Sequence, residues 1–284
     1  EFNWNGQELY HKILKSKNNE RSLNVSKDEP TKRSSTRNNW WKVAAAVSLL
    51  IVASVFLINR FDIIESTQEV YAEVIKNNPA GQKSKVYLPD GTIVNLNSES
   101  SITFAEDFAS GRTVYLEGEA FFDVTEDPSR PFTVHSGGLS TTALGTSFNI
   151  KTYEADLTEV TLVTGKVKVE KEGSEERVFL IPGERAALRA NSESIQKDKA
   201  DLQAITYWKE GVLYFDQTNI NEVISTLERW YGVEITASKL PDLKCSGTFQ
   251  KNEYLTNVLD ILSYSVGFEY SLDGKEVKLE FNQK

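Results

Sequence analysis

The 284-residue sequence holds no methionine, one cysteine and two histidines. A single thiol, Cys245, excludes an internal disulfide, so packed secondary structure must hold the fold. His11 and His135 are too few and too far apart to make a zinc set. The motifs HExxH, GxxxxGK(S/T), GxSxG and CxxC are missing, which removes zinc peptidases, P-loop nucleotidases, elbow-type hydrolases and dithiol oxidoreductases. No residue set implies a metal or an organic cofactor, and no enzymatic activity is expected. Seven prolines form no proline-rich tract. Long apolar runs are absent too, with one exception.

The exception is "NNWWKVAAAVSLLIVASVFLINRF", beginning at Asn38. Val43 to Ile58 are sixteen residues without a charge. As a helix at about 1.5 Å per residue, Trp40 to Ile58 would span about 28 Å, close to a hydrocarbon core. A buried helix of a soluble domain keeps a polar stripe, and this stretch has none. Trp40 and Trp41 suit a membrane interface, where Lys42 can extend its ammonium to the headgroups. Lys27, Lys32, Arg33, Arg37 and Lys42 lie before the run, against only Arg60 and Lys76 after it, up to Pro79. That asymmetry puts the N-terminus in the cytoplasm. A cleaved signal peptide would need a short basic start and a small-residue site, but about forty residues precede the run and "FLINRFDII" follows it. An uncleaved single-pass anchor is expected, and the missing initiator methionine suggests a longer cytoplasmic part than the one shown.

Residues 1–42 carry nine Lys and Arg against five Asp and Glu, whereas everything after them carries 23 against 36. An exported part so acidic is a poor ligand for nucleic acid or anionic lipid. From about Val70 to Leu188 the pattern is of short alternating strands. "KVYLPDGTIVNL" has an Asp-Gly turn between apolar runs, and "TVYLEGEAFFDV" puts Val114 and Leu116, then Ala120, Phe122 and Val124, on one face. A weak echo, Leu-x-x-Gly, recurs at Leu88/Gly91, Leu162/Gly165 and Leu180/Gly183. This is an all-β antiparallel sandwich or roll, or a short solenoid; the pattern does not separate them.

After the polar "RANSESIQKDKADLQ" the period changes. "NINEVISTLERWYG" is an amphipathic helix with Ile220, Val223, Ile224, Leu227 and Tyr231 on one face, a capping-box-like start at Asn219 and Glu222, and a stop at Gly232. "NEYLTNVLDILSYSVG" is a second helix, ending at Gly267. With the strands "GVLYFD", "VEI", "CSGTF", "FEYSL" and "EVKLEF" they make a small α+β module, two helices on one face of a sheet. Candidates for chemistry are weak. Cys245 reads as a small buried hydrophobe, His135 as a strand-end polar residue, and Glu117 with Glu119 as an exposed turn around Gly118. The Trp and Tyr residues of "YWKEGVLYF" and "ERWYG" read as core or interface.

Several stretches carry a resemblance. "VYLPDGTIVNLNSESSITF", "RTVYLEGEAFFDVTEDPSRPFTVHS" and "TTALGTSFNIKTYEADLTEVTLVTGKVKV" closely resemble the FecR periplasmic domain of membrane-bound anti-sigma factors. "GVLYFDQTNINEVISTLERWYGVEI" and "GTFQKNEYLTNVLDILSYSVGFEY" look like the C-terminal domain of those proteins in Bacteroidetes, itself similar to the short N-terminal domain of secretins and TonB-dependent transporters. The division is then a cytoplasmic segment 1–39, a transmembrane helix 40–60, a linker 61–79, a FecR-like β domain 80–190, a linker 191–206 and the α+β domain 207–284. The family's cytoplasmic part is usually longer, and only "FNWNGQELYHKILKSKN" resembles its end.

The resemblance implies a signal relay in the inner membrane. A TonB-dependent outer-membrane transporter would offer its signalling domain in the periplasm, and the cytoplasmic side would hold or release an extracytoplasmic-function sigma factor. The terminal module is expected to dock that signalling domain through an exposed strand, "EVKLEF" or "GVLYF". The resemblance also points to Gly145-Thr146 in "TTALGTSFNI" as a candidate self-cleavage site, where the Thr146 hydroxyl would attack the Gly145 carbonyl. The ordinary reading is that Gly145 permits a bulge or tight turn. An envelope-anchored module for glycans or cell wall, without a sigma factor, is the alternative; an aromatic-rich groove in the β domain would favour it. Alkaline phosphatase fused after Thr67 is expected to be active and the same fusion before Trp40 inactive; the reverse pattern would overturn the topology.

Overall fold

The computed structural model describes residues 45–54, 72–154 and 156–281. The chain divides into two units, Glu1–Gln68 and Glu69–Lys284. In the first unit the described part is helix α1, residues 45–54, exposed along its whole length and lying within the apolar run. Among the described residues no helix is long and apolar enough to cross a membrane. The rest of the expected span 40–60, and the segment 1–39, lie outside the described residues.

The second unit begins with fourteen strands. These are β1 (Glu73–Asn78), β2 (Ser84–Tyr87), β3 (Ile93–Leu96), β4 (Ser100–Ala105) and β5 (Arg112–Glu117). There follow β6 (Glu119–Asp123), β7 (Phe132–Ser136), β8 (Leu139–Ala143), β9 (Ser147–Glu154) and β10 (Leu157–Thr164). The last are β11 (Val167–Lys171), β12 (Arg177–Leu180), β13 (Glu184–Arg189) and β14 (Gln196–Lys199). They form two seven-stranded sheets, A with the order β1-β4-β5-β7-β8-β11-β12 and B with the order β2-β3-β6-β9-β10-β13-β14. All pairs are antiparallel except β5 with β7. The two sheets enclose one core, in which Val94, Ile102, Val114, Phe122, Phe148 and Val169 are solvent-free or nearly so. The architecture is a sandwich. Strand number nevertheless rises steadily across each sheet, so the chain advances like a short solenoid, shuttling from one sheet to the other.

Two of the recurring Leu-x-x-Gly stretches and the related Gly118 now have a cause, whereas Leu88/Gly91 is the β2–β3 hairpin within sheet B. Gly118, Gly165 and Gly183 each sit where the chain leaves one sheet for the other, with φ of +86°, +84° and +84°. Such corners need the left-handed region, which glycine enters without a steric cost.

The remainder folds as α2 (Leu202–Glu210), β15 (Tyr214–Asn219), α3 (Ile220–Tyr231), β16 (Glu234–Ala237) and β17 (Lys244–Thr248), then α4 (Leu255–Val266), β18 (Phe268–Asp273) and β19 (Glu276–Phe281). The helices α3 and α4 stand where the apolar periodicity put them. The expectation of two helices on one sheet needs correction on two points. There are two small sheets, β15-β17 and β16-β19-β18, because β19 is already paired on both sides and offers β17 no edge. "EVKLEF" is therefore a central strand and not an exposed one. There is also a third helix, α2, inside residues read partly as linker. Asp201 caps it through Gln203 N (2.8 Å), but its buried face is only Ile205 and Trp208, too short a stripe to show a helical period. Likewise β1 and β14 occupy stretches read as linkers, since both are largely exposed edge strands without a clean alternation. At α3, Asn219 accepts from Asn221 N (2.9 Å) as the cap, while Glu222 leaves the capping box to pair with Lys151.

The Arg112 side chain, a cation, lies wholly inside the sandwich. Arg112 shares the parity of Val114 and Leu116 and so points inward from β5. Its guanidinium donates to Asp90 Oδ2 (2.9 Å), to Thr125 O (2.9 Å), to Asp127 O (3.2 Å) and, by two nitrogens, to Arg130 O. The β2–β3 turn and the 125–130 loop are thereby tied to one cation. Removing one partner of a buried, fully bonded ion pair costs about 3–5 kcal/mol. Arg112→Met is expected to lose about that much in urea unfolding, and Arg112→Lys, which lacks the planar fork, to recover only part of it.

Candidate functional site

The outer face of sheet B is not free. β6 buries residues on both of its faces, Ala120 and Phe122 inward and Phe121 outward, and Phe121 packs with Ile205 and Trp208 of α2. The terminal module thus roofs part of the sandwich, leaving beneath it a cleft of about 700 Å³. Its floor comes from β6, β9, β10 and β13, and its roof from α2, β15 and α3.

Glu119 lies at the centre, 8% exposed. Asn97 Nδ2 and Asn149 Nδ2 donate to its two oxygens (2.8 and 2.9 Å), and Asn149 Oδ1 accepts from Trp208 Nε1 (3.2 Å). A chain of hydrogen bonds thus runs from the end of β3 to α2. The local sequence makes Glu119 half of an exposed turn with Glu117. The corner at Gly118 instead puts the two on different sheets: Glu117 is exposed and Glu119 is buried. Lys151, beside it on β9, bonds Glu222 of α3 (3.1 Å). Burial opposes the Lys151 charge, but Glu119 and Glu222 outweigh it and hold the ammonium above its usual range. Burial, reinforced by Glu119, pushes the Tyr153 phenol well up.

A second junction joins the β1–β2 turn to the end of α3. Gly81 N donates to Arg229 O (2.8 Å), and a side chain on Gly81 or Gly232 would press on the other's backbone segment at 3.0–3.3 Å. Lys83 Nζ lies over the Trp230 ring, 2.8 Å from its centroid. Lys83 is exposed as a residue, yet desolvation at that ring lowers its amine to about 7, with Glu119 opposing the shift. Arg229 lies over Tyr153 at 4.3 Å.

Gly145 and Thr146 stand away from the cleft, at the corner from β8 to β9. Gly145 has φ +152°, and a Cβ there would come within 2.8 Å of Glu126, backbone included, so close packing alone requires glycine. The 125–130 loop held by Arg112 straddles the site, with Asp127 N donating to Leu144 O (2.9 Å) and Val124 N to Thr146 O (3.0 Å). The Thr146 hydroxyl is buried and has no hydrogen-bond partner. His135 stacks on Tyr115 at 5.2 Å and meets Glu172 at 2.7 Å on the outer face of sheet A. Cys245 is buried on β17, where burial raises its thiol. Neither His nor Cys lines the cleft. Phe121 was the missed signal: an apolar side chain facing out of an alternating strand needs a cover.

Residues 74–168 match the family model described as FecR protein, and residues 212–279 the model described as FecR, C-terminal. Two solved structures of a candidate anti-sigma factor from Parabacteroides distasonis ATCC 8503, at 1.65 and 2.50 Å resolution, are 34% identical in sequence, each with a TM-score of 0.66. The match covers 74% and 75% of this chain and all of theirs. No curated protein matches the chain. With both FecR domains in order, and a relative of this identity covered over its whole length, the chain belongs to the FecR family.

Proposed function

We propose that this protein regulates a sigma factor from the inner membrane. Residues 40–60 would anchor it, with the N-terminus in the cytoplasm holding an extracytoplasmic-function sigma factor. The second unit would stand in the periplasm, where the terminal module receives the signalling domain of a TonB-dependent outer-membrane transporter. The family and the description of its solved relative support the sigma-regulating part. The observation that carries the relay is the junction of Gly81 and Lys83 with Arg229, Trp230 and Gly232. It links the module to the turn directly after β1, the first strand beyond the apolar run. A partner that shifts α3 would then disturb β1, the described strand that follows the proposed anchor most closely in sequence.

Below about pH 7, where the Lys83 amine is protonated, Lys83→Ala removes a cation–π contact worth about 0.5–1 kcal/mol. It is expected to speed amide exchange at Gly81 by about two- to fivefold and to change basal output of a sigma-dependent reporter. Faster exchange with an unchanged reporter would break the proposed path. Deleting residues from Tyr207 onward is expected to abolish transporter-dependent induction.

Gly145-Thr146 enters this reading as a proposal of its own. Cleavage there would begin with Thr146 Oγ1 attacking the Gly145 carbonyl carbon, the amide nitrogen leaving to give an ester that water then splits. The packing reason for Gly145, and the lack of a hydrogen-bonded base at the hydroxyl, favour an intact bond. Purified protein is expected to run as one band over days at neutral pH. Two fragments divided at Gly145, lost in Thr146→Ala and kept in Thr146→Ser, would make the site autoproteolytic.

A further inference from the structure

The proposed relay passes through Arg229 and Trp230, which also line the cleft over sheet B, but the chemistry of that cleft can be read by itself. Its volume of about 700 Å³ falls within the roughly 300–1,000 Å³ of small-molecule sites. Strand register sets two rows of side chains across the floor, Glu119, Lys151 and Glu159 in one and Asn149, Thr161 and Arg185 in the other. Acceptor and donor alternate along the first, and the second ends on the Arg185 donor. The ionisable lining residues balance, five basic against five acidic. A phosphate or a polycation would meet as many like charges as opposite ones there. Among the described residues no three His, Cys, Asp or Glu gather as a metal set.

Two groups in the floor have unused capacity. Ser98, 1% exposed, has a hydroxyl with no hydrogen-bond partner. Each oxygen of Glu119 receives one amide hydrogen and can accept another. Half-buried Tyr214 and Trp230 add ring surface to the walls. An extended peptide would be expected to add to the free edge of β15, but that edge is broken. β15 is kinked in its middle: its pairing with β17 shifts register between Phe215 and Thr218, Gln217 sits at φ +49° with its amide turned to Ser246 Oγ of β17, and the Asp216 amide is taken by Thr218 Oγ1, so the strand offers no continuous extended edge.

We propose that the cleft binds a neutral, hydroxyl-rich ligand, a short oligosaccharide, whose hydroxyls meet Glu119, Ser98 and the ion pair of Glu159 with Arg185 (2.6 Å), and whose ring faces lie against Tyr214 and Trp230. Because the floor belongs to the sandwich and the roof to the module, the occupant touches both and favours their docked arrangement.

The test uses the full chain in phospholipid nanodiscs, titrated with chitotriose, maltotriose and cellotriose by saturation-transfer NMR and calorimetry. Trialanine and inorganic phosphate form the other arms. At least one trisaccharide is expected to bind at about a millimolar or tighter, and Glu119→Gln or Glu159→Gln to weaken it about tenfold, the loss of one charge-assisted hydrogen bond. Glu159 is only part-buried, so its variant reports on binding even if Glu119→Gln impairs folding. No trisaccharide binding, binding indifferent to both substitutions, or binding of trialanine or phosphate alone would overturn the proposal. No sigma factor or transporter takes part, so failure here leaves the regulatory reading untouched.

Discussion

The packing of Phe121 against Ile205 and Trp208 is the contact on which the rest of the site depends. It removes a large apolar side chain from water on the face of the sandwich that would otherwise be solvated, which stabilises by about 1.5–3 kcal/mol. It also carries Trp208 to Asn149, so that one indole N–H completes the amide network around Glu119. Without that cover Glu119 would be a solvated carboxylate on an open sheet. With it, the carboxylate is buried, the neighbouring Lys151 is held charged, and a cleft exists at all.

The sandwich below is built to be a rigid base. The chain passes repeatedly between two sheets, and most of these passages turn at a residue with positive φ. Arg112 acts at the end opposite to smooth packing, a fully buried cation whose donors are spent on carbonyls and on Asp90. Its loop in turn presses on Gly145, which explains that glycine by the space Glu126 occupies. Functional and structural explanations of a Gly-Thr pair differ in what the hydroxyl meets, and here the Thr146 hydroxyl meets no hydrogen-bonding group.

The regulatory reading and the cleft share the seam between sandwich and module. Polar links dominate that seam: Lys151 with Glu222, Arg229 over Tyr153, Lys83 over Trp230, and the Gly81 amide with Arg229. Part-buried and exposed links of this kind are individually worth about 0.5–2 kcal/mol. A seam with one small apolar centre and such a rim suits two parts that must shift on demand, in contrast to the continuous apolar core inside the sandwich.

Local pattern determined a good deal by itself. Alternation in "RTVYLEGEAFFDV" made strands, because burial on one face of a sheet has period two. The helical period and glycine stops of "NINEVISTLERWYG" and "NEYLTNVLDILSYSVG" made α3 and α4. The same alternation even placed Arg112 inside, though nothing local said what would receive it. Tertiary structure decided what has no local signature. The short helix α2 and the edge strands β1 and β14 bury too little to mark the sequence. Glu119 shares its spacing with Glu117, and only the turn of the chain at Gly118 from one sheet to the other, with a roof brought from some eighty residues away, separates a buried carboxylate from a solvated one. Long-range cover, not residue type, made the site.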